Sequence, residues 1–72
     1  MAARFRLAEL LEERGMSQSE LARRSGITFA TVNAMARNRT DGVKLETLDR
    51  LARVLGVEPG DLIATDRKRK GK

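Results

Sequence analysis

Apolar positions recur along this chain at helical spacing, and each block is closed by a glycine or an asparagine. Leu7, Leu10 and Leu11 fall at i, i+3 and i+4, while Glu9, Glu12 and Glu13 lie off that stripe. The spacing predicts a helix over Arg6 to Arg14, stopped at Gly15. The alternation Arg4-Phe5-Arg6-Leu7 also fits a short extended start. Ser17 with Glu20 three residues on forms a capping box, and Met16 and Leu21 are placed for the hydrophobic staple. A second helix therefore opens at Gln18 and runs to about Ser25. Gly26 suits a left-handed turn, and small Ala22 suits a close helix crossing.

Thr28 is an acceptable N-cap for a third helix. At about 100° per residue, Val32, Met35 and Ala36 share its inner face, and Ile27 lies just ahead of it. Ala30, Asn33, Ala34 and Arg37 point outward, with Phe29 between the two faces. Asn38 can take the left-handed conformation needed after a helix. Arg39 to Val43 reads as a loop. Leu45, Leu48, Leu51 and Leu55, with Ala52, mark a fourth helix that Gly56 stops. Lys44 is a poor cap for its start. Pro59, after Glu58 and before Asp61, predicts a short last helix, with Val57, Leu62 and Ile63 packing back on the core. The expectation is an all-α, five-helix domain over residues 1–65. Residues 66–72, DRKRKGK, contain no apolar side chain and are expected to be a disordered basic tail.

Composition narrows the chemistry. A chain of 72 residues makes one small domain with a modest core. It has no Cys and no His, so disulfides and the common zinc sites are excluded, and no metal or cofactor is expected. Carboxylate pairs such as Glu9 and Glu13, or Glu46 and Asp49, sit at helical neighbour spacing and read as solvated helix surface. Ser17, Ser19 and Ser25 are accounted for by caps and turns, and no phosphate-cradling glycine loop is present. An enzyme is therefore not expected. So small a core leaves no room for a ligand pocket. No apolar run is long enough to span a bilayer, and the start lacks a signal peptide's apolar core. A cytoplasmic protein is the expectation.

The net charge of +5 is unevenly spread. Residues 1–13 carry −1, residues 14–44 carry +4, residues 45–66 carry −3 and residues 67–72 carry +5. Positive charge thus falls on the second and third helices, on the loop after them and on the tail. Such a distribution suits a polyanion. Helix N-termini offer free N–H groups to phosphates, and Gln18 stands at one of them. Arg37, Arg39, Thr40 and Lys44 cluster around the end of the third helix, where they would hold a phosphate backbone. Of Arg23 and Arg24, one is free to pair with Glu20.

The spacing of Gln18, Ala22, Gly26, Val32 and Met35 resembles the helix-turn-helix of the Cro and phage-repressor type, the Xre family. The run LARVLGV, followed by Pro59 and Leu62, is similar to that family's last two helices. The likeness extends from about Arg6 to Ile63 and implies a compact DNA-binding domain whose third helix enters the major groove. It also implies a homodimer on palindromic double-stranded DNA. The dimer surface is expected on the last two helices, or else around Arg4 to Leu7.

Carried over by position, the family's base-reading sites fall on Phe29, Ala30 and Ala34, with Thr28 and Asn33 beside them. Family members often bear Gln or Ser at the first two of these, and here both are apolar. Ala30 and Ala34 suit thymine methyls, and Asn33 is the side chain best able to pair with adenine through two hydrogen bonds. Arg37 reaches a guanine or a phosphate. The phosphate role of Gln18 carries over as well. The expected function is a transcriptional repressor. The alternative is an antitoxin-like or adaptor module of the same fold that binds another protein through the acidic surface of residues 45–66. RNA binding is disfavoured by the presence of only two aromatic residues.

Overall fold

A computed structural model describes residues 3–40 and 42–65; Asp41 and the basic tail lie outside the described residues. The elements in chain order are strand β1 (Ala3–Phe5), helices α1 (Leu7–Arg14), α2 (Gln18–Ser25), α3 (Phe29–Ala36) and α4 (Leu45–Leu55), a 3₁₀ turn (Pro59–Leu62) and strand β2 (Ile63–Thr65). The apolar stripes converge as their spacing requires. Leu7, Leu10 and Leu11 of α1, Leu21 of α2, Val32 and Met35 of α3, Leu48, Leu51, Ala52 and Leu55 of α4, and Leu62 form one buried cluster. No polar or charged residue is buried among the described residues. Each fully buried leucine or valine contributes roughly 1.5–3 kcal/mol by leaving water.

The helix ends follow local chemistry. Gly15, Gly26 and Gly56 all take positive φ after α1, α2 and α4. Ser17 caps α2, its Oγ accepting from the Glu20 N–H at 3.0 Å. Lys44 gives α4 no side-chain cap. The far end of α4 is closed by Arg14 of α1, whose Nε donates to the Leu55 carbonyl at 2.6 Å. That carbonyl would otherwise lack an intrahelical partner.

Two expectations need correction. The domain is not an all-α bundle of five helices: its described residues form four α-helices, a 3₁₀ turn and a two-stranded antiparallel sheet. The segment after Glu58 completes only the four residues Pro59–Leu62, because Ile63 is already extended at φ −124° and ψ 137°. One turn cannot repay the cost of helix nucleation. The Asp61 carboxylate instead holds the Glu58 N–H at 3.0 Å. Ile63 then pairs with Phe5, Ala64 with Arg4 and Thr65 with Ala3. The extended reading of Arg4 and Phe5 therefore holds, and α1 begins at Leu7 because the Arg6 N–H bonds to the Leu62 carbonyl at 2.7 Å. Second, Ile63 does not join the core; it is 40% exposed on the sheet. Leu45, the first member of the α4 repeat, is also outside the core, at 83% exposed, because it precedes the turn that packs.

Candidate nucleic-acid interface

Helices α2 and α3 pack on each other, and α2 also packs on α4. The turn between them is closed by its own residues. Gly26 has φ +77°, and its N–H donates to the Ala22 carbonyl at 3.0 Å. The Ser25 hydroxyl accepts from the Ile27 N–H at 3.2 Å. Thr28 caps α3, accepting from the Thr31 N–H at 3.2 Å, and its hydroxyl donates to Thr31 Oγ1 at 3.0 Å. Its polar group is thus engaged in starting the helix.

With both ends set, α3 turns Val32 and Met35 inward and leaves Phe29 and Ala30 exposed. Phe29, 50% exposed, does not turn into the core. Ala30, Thr31 and Ala34 form one wall of an open groove of about 430 Å³, and Thr40, Gly42, Val43, Lys44 and Thr47 complete it. Expected base-reading positions (Ala30, Ala34) and expected phosphate-binding positions (Thr40, Lys44) thus line a single concavity. Thr31 and Thr47 were not anticipated there. Their signal was helical adjacency, since Thr31 follows Ala30 and Thr47 lies one turn beyond Lys44.

Gln18 and Asn33 also meet. Asn33 Nδ2 donates to Gln18 Oε1 at 2.9 Å, joining the first turn of α2 to the middle of α3. Arg37 and Arg39 are exposed on either side of Asn38, beyond the end of α3.

Ion pairing divides the cations into two sets. Arg4 and Arg6 both reach Glu9, Arg14 reaches Glu13, Arg24 reaches Glu20, Arg50 reaches Glu46 and Arg53 reaches Asp49. Glu20 therefore takes Arg24 and leaves Arg23. The Arg6 guanidinium first, and then that of Arg4, holds the Glu9 carboxyl below its usual range. Arg23, Arg37, Arg39 and Lys44 have no carboxylate partner among the described residues. All four lie between the start of α2 and the start of α4. Each paired cation is largely cancelled by its neighbour, which leaves the uncancelled cations of the described residues on α2 and between the end of α3 and the start of α4. No cluster of carboxylates that might hold a metal ion is assembled among the described residues, and no helix there is long and apolar enough to cross a membrane.

Residues 6–68 match the sequence pattern of the Cro/C1-type helix-turn-helix DNA-binding domain. The chain belongs to that family. It is 32% identical over 63 residues to YozG, an uncharacterized helix-turn-helix-type transcriptional regulator of Bacillus subtilis (strain 168), covering 88% of this chain and 75% of YozG. The fold is similar to that of SinR, the master regulator for biofilm formation, solved in complex with DNA. That structure has a TM-score of 0.75 and 28% identity, over 79% of this chain and 90% of the SinR chain. A chain of the SinR–SinI protein complex aligns with the same TM-score and identity, again over 79% of this chain; the match spans about half, 55%, of that longer chain. As a Cro/C1-type domain, this is a DNA-binding, helix-turn-helix transcription-regulator fold.

Proposed function

We propose that this domain regulates transcription, as a repressor, by laying α3 in the major groove of double-stranded DNA without a cofactor. The observation that carries the reading is that exposed residues of α3 stand beside Arg37, Arg39 and Lys44, cations with no carboxylate partner among the described residues. Phe29, Ala30 and Ala34 offer apolar contact to thymine methyls, Asn33 offers its carboxamide to adenine, and Arg37 serves a guanine or a phosphate. Thr28, with its hydroxyl in the cap, contributes through its methyl group. Gln18, Arg39, Thr40 and Lys44 hold the backbone. Because Asn33 occupies Gln18 Oε1, the Nε2 donors of Gln18 are left for a phosphate.

Binding as a homodimer would set half-sites about 34–36 Å apart. The expected dimer contact is the last two helices, or else Arg4 to Leu7; the β1–β2 pairing sets Arg4 and Phe5 beside Ala64 and Ile63, directly after the last helical segment. The test is fluorescence anisotropy on mixed-sequence duplex DNA at low and moderate salt, then selection of bound genomic fragments and light scattering of the complex. Salt-sensitive binding to a palindromic site by two chains is expected. Absence of binding to any duplex in dilute buffer would overturn it.

A second reading, a protein-binding module, is favoured by the resemblance to a chain of the SinR–SinI protein complex. Its expected docking surface is weakened here, because Glu46 and Asp49 are already paired with Arg50 and Arg53.

A further inference from the structure

Asn38 follows α3 in a left-handed conformation, φ +55°, and is the one non-glycine residue with positive φ among those described. Its N–H donates to the Met35 carbonyl at 3.1 Å, and the Arg39 N–H donates to the Ala34 carbonyl at 2.8 Å. These two bonds are the Schellman closure of a helix, in which glycine is the least strained occupant. Backbone conformation alone therefore does not account for an asparagine.

The side chain does. Asn38 Oδ1 accepts from the Phe5 N–H at 2.7 Å, and Asn38 Nδ2 donates to the Phe5 carbonyl at 3.2 Å, across 33 residues of sequence. In an antiparallel ladder, bonded and non-bonded residue pairs alternate. The Arg6 N–H bonds to Leu62, so at the neighbouring Phe5–Ile63 pair the Phe5 N–H and C=O face away from β2. One carboxamide satisfies both groups, as a third strand would. The end of α3 is thereby tied to β1 and, through β1, to β2.

We propose that Asn38 is a positioning residue for DNA binding: its clamp on Phe5 fixes, before DNA arrives, the segment that presents Arg37, Arg39 and Thr40. The inference rests on the DNA-binding reading above. Among the described residues neither cation has a carboxylate partner, so beyond the backbone closure at the helix end it is the clamp that ties this segment to the rest of the domain. Ordering it in advance removes a cost that binding would otherwise meet.

The test compares the full chain with Asn38→Gly. Glycine keeps the left-handed turn and removes only the carboxamide, so a purely conformational role predicts equal or better stability and unchanged binding. The clamp predicts that the Phe5 amide loses hydrogen-exchange protection while the Leu10 amide keeps it. It also predicts roughly tenfold weaker binding to a duplex, the worth of two hydrogen bonds, with a shallower salt dependence. The loss should shrink when Arg39 is already alanine, because the clamp acts through that side chain. A variant that binds as tightly as wild type, while wild type binds well, overturns this inference alone. So does a loss of equal size in the Arg39→Ala background. A wild-type chain that ignores all DNA overturns both this inference and the reading beneath it.

Discussion

Asn33 of α3 and Gln18 of α2 are joined carboxamide to carboxamide, Nδ2 to Oε1, at 2.9 Å. The bond links the side chain proposed to read a base with the one proposed to grip a phosphate. Orientation of either is then not independent of the other. Asn33→Ala is expected to lower discrimination among DNA sites and also to weaken general affinity, by releasing Gln18. Gln18→Ala should weaken all sites. The double variant should lose less than the sum of the singles, with a coupling of about 0.5–3 kcal/mol. Anisotropy titrations of the three variants on a preferred and a scrambled duplex measure it. Additive losses would mean that the two side chains act separately.

Ion pairing predicts which cations matter for DNA. Arg39→Ala removes an unpaired charge and is expected to weaken preferred and scrambled sites alike. It should reduce the steepness of the salt dependence by about one unit. Arg53→Ala removes a charge already held by Asp49 at 3.0 Å on a different helix, and is expected to leave the salt dependence unchanged. A log–log plot of affinity against salt for both variants decides the matter. Equal slopes would remove the significance of the pairing pattern.

Leu51 is fully buried where α4 meets the rest of the core. Leu51→Ala should destabilise the domain by about 2–5 kcal/mol. For a domain this small that is a large part of the total, which is about 5–15 kcal/mol for ordinary proteins. Leu45→Ala, at a largely exposed position of the same repeat, is expected to change stability by less than about 0.5 kcal/mol. Thermal melts followed by circular dichroism compare the two. A similar loss for both would contradict the packing of α4.

Glu9 ties β1 to α1 through Arg4 and Arg6, each at 3.2 Å. These contacts lower its carboxyl from an ordinary value of 4.5. A depressed carboxylate adds stability that is fully present above its unfolded-state value and is lost as pH falls through the folded one. Wild type should therefore melt above Glu9→Gln near neutral pH. The gap should begin to close as pH drops past 4.5 and vanish at stronger acidity. Because the pair is exposed, the gap will be small. Melting temperatures of both forms across that range test the sign, and a gap that widens in acid would refute it.

Most of the helical frame was legible in the chain itself. The spacing of Leu7, Leu10 and Leu11, the Ser17 and Thr28 caps, and the stops at Gly15, Gly26, Asn38 and Gly56 are local signals. Each depends on residues within one or two helical turns, so periodicity and capping chemistry suffice to read it. The same locality explains the near-agreement of the helix bounds and the placement of Ala30 on an outer face.

What tertiary structure alone decided involves partners far apart in sequence. The pairing of Ala3–Phe5 with Ile63–Thr65 turned an expected fifth helix into a single turn and a strand, because a strand needs a neighbour that no local window contains. The side chain of Asn38 reads locally as a helix stop, yet its carboxamide serves a strand 33 residues earlier. Composition set how much positive charge the domain carries, and helical spacing paired part of it, since Arg24, Arg50 and Arg53 each meet a carboxylate four residues earlier; the fold decided where the rest stands, bringing Lys44 and Thr40 into one groove with Ala30 and Ala34 because α3 and the start of α4 pack on a shared core.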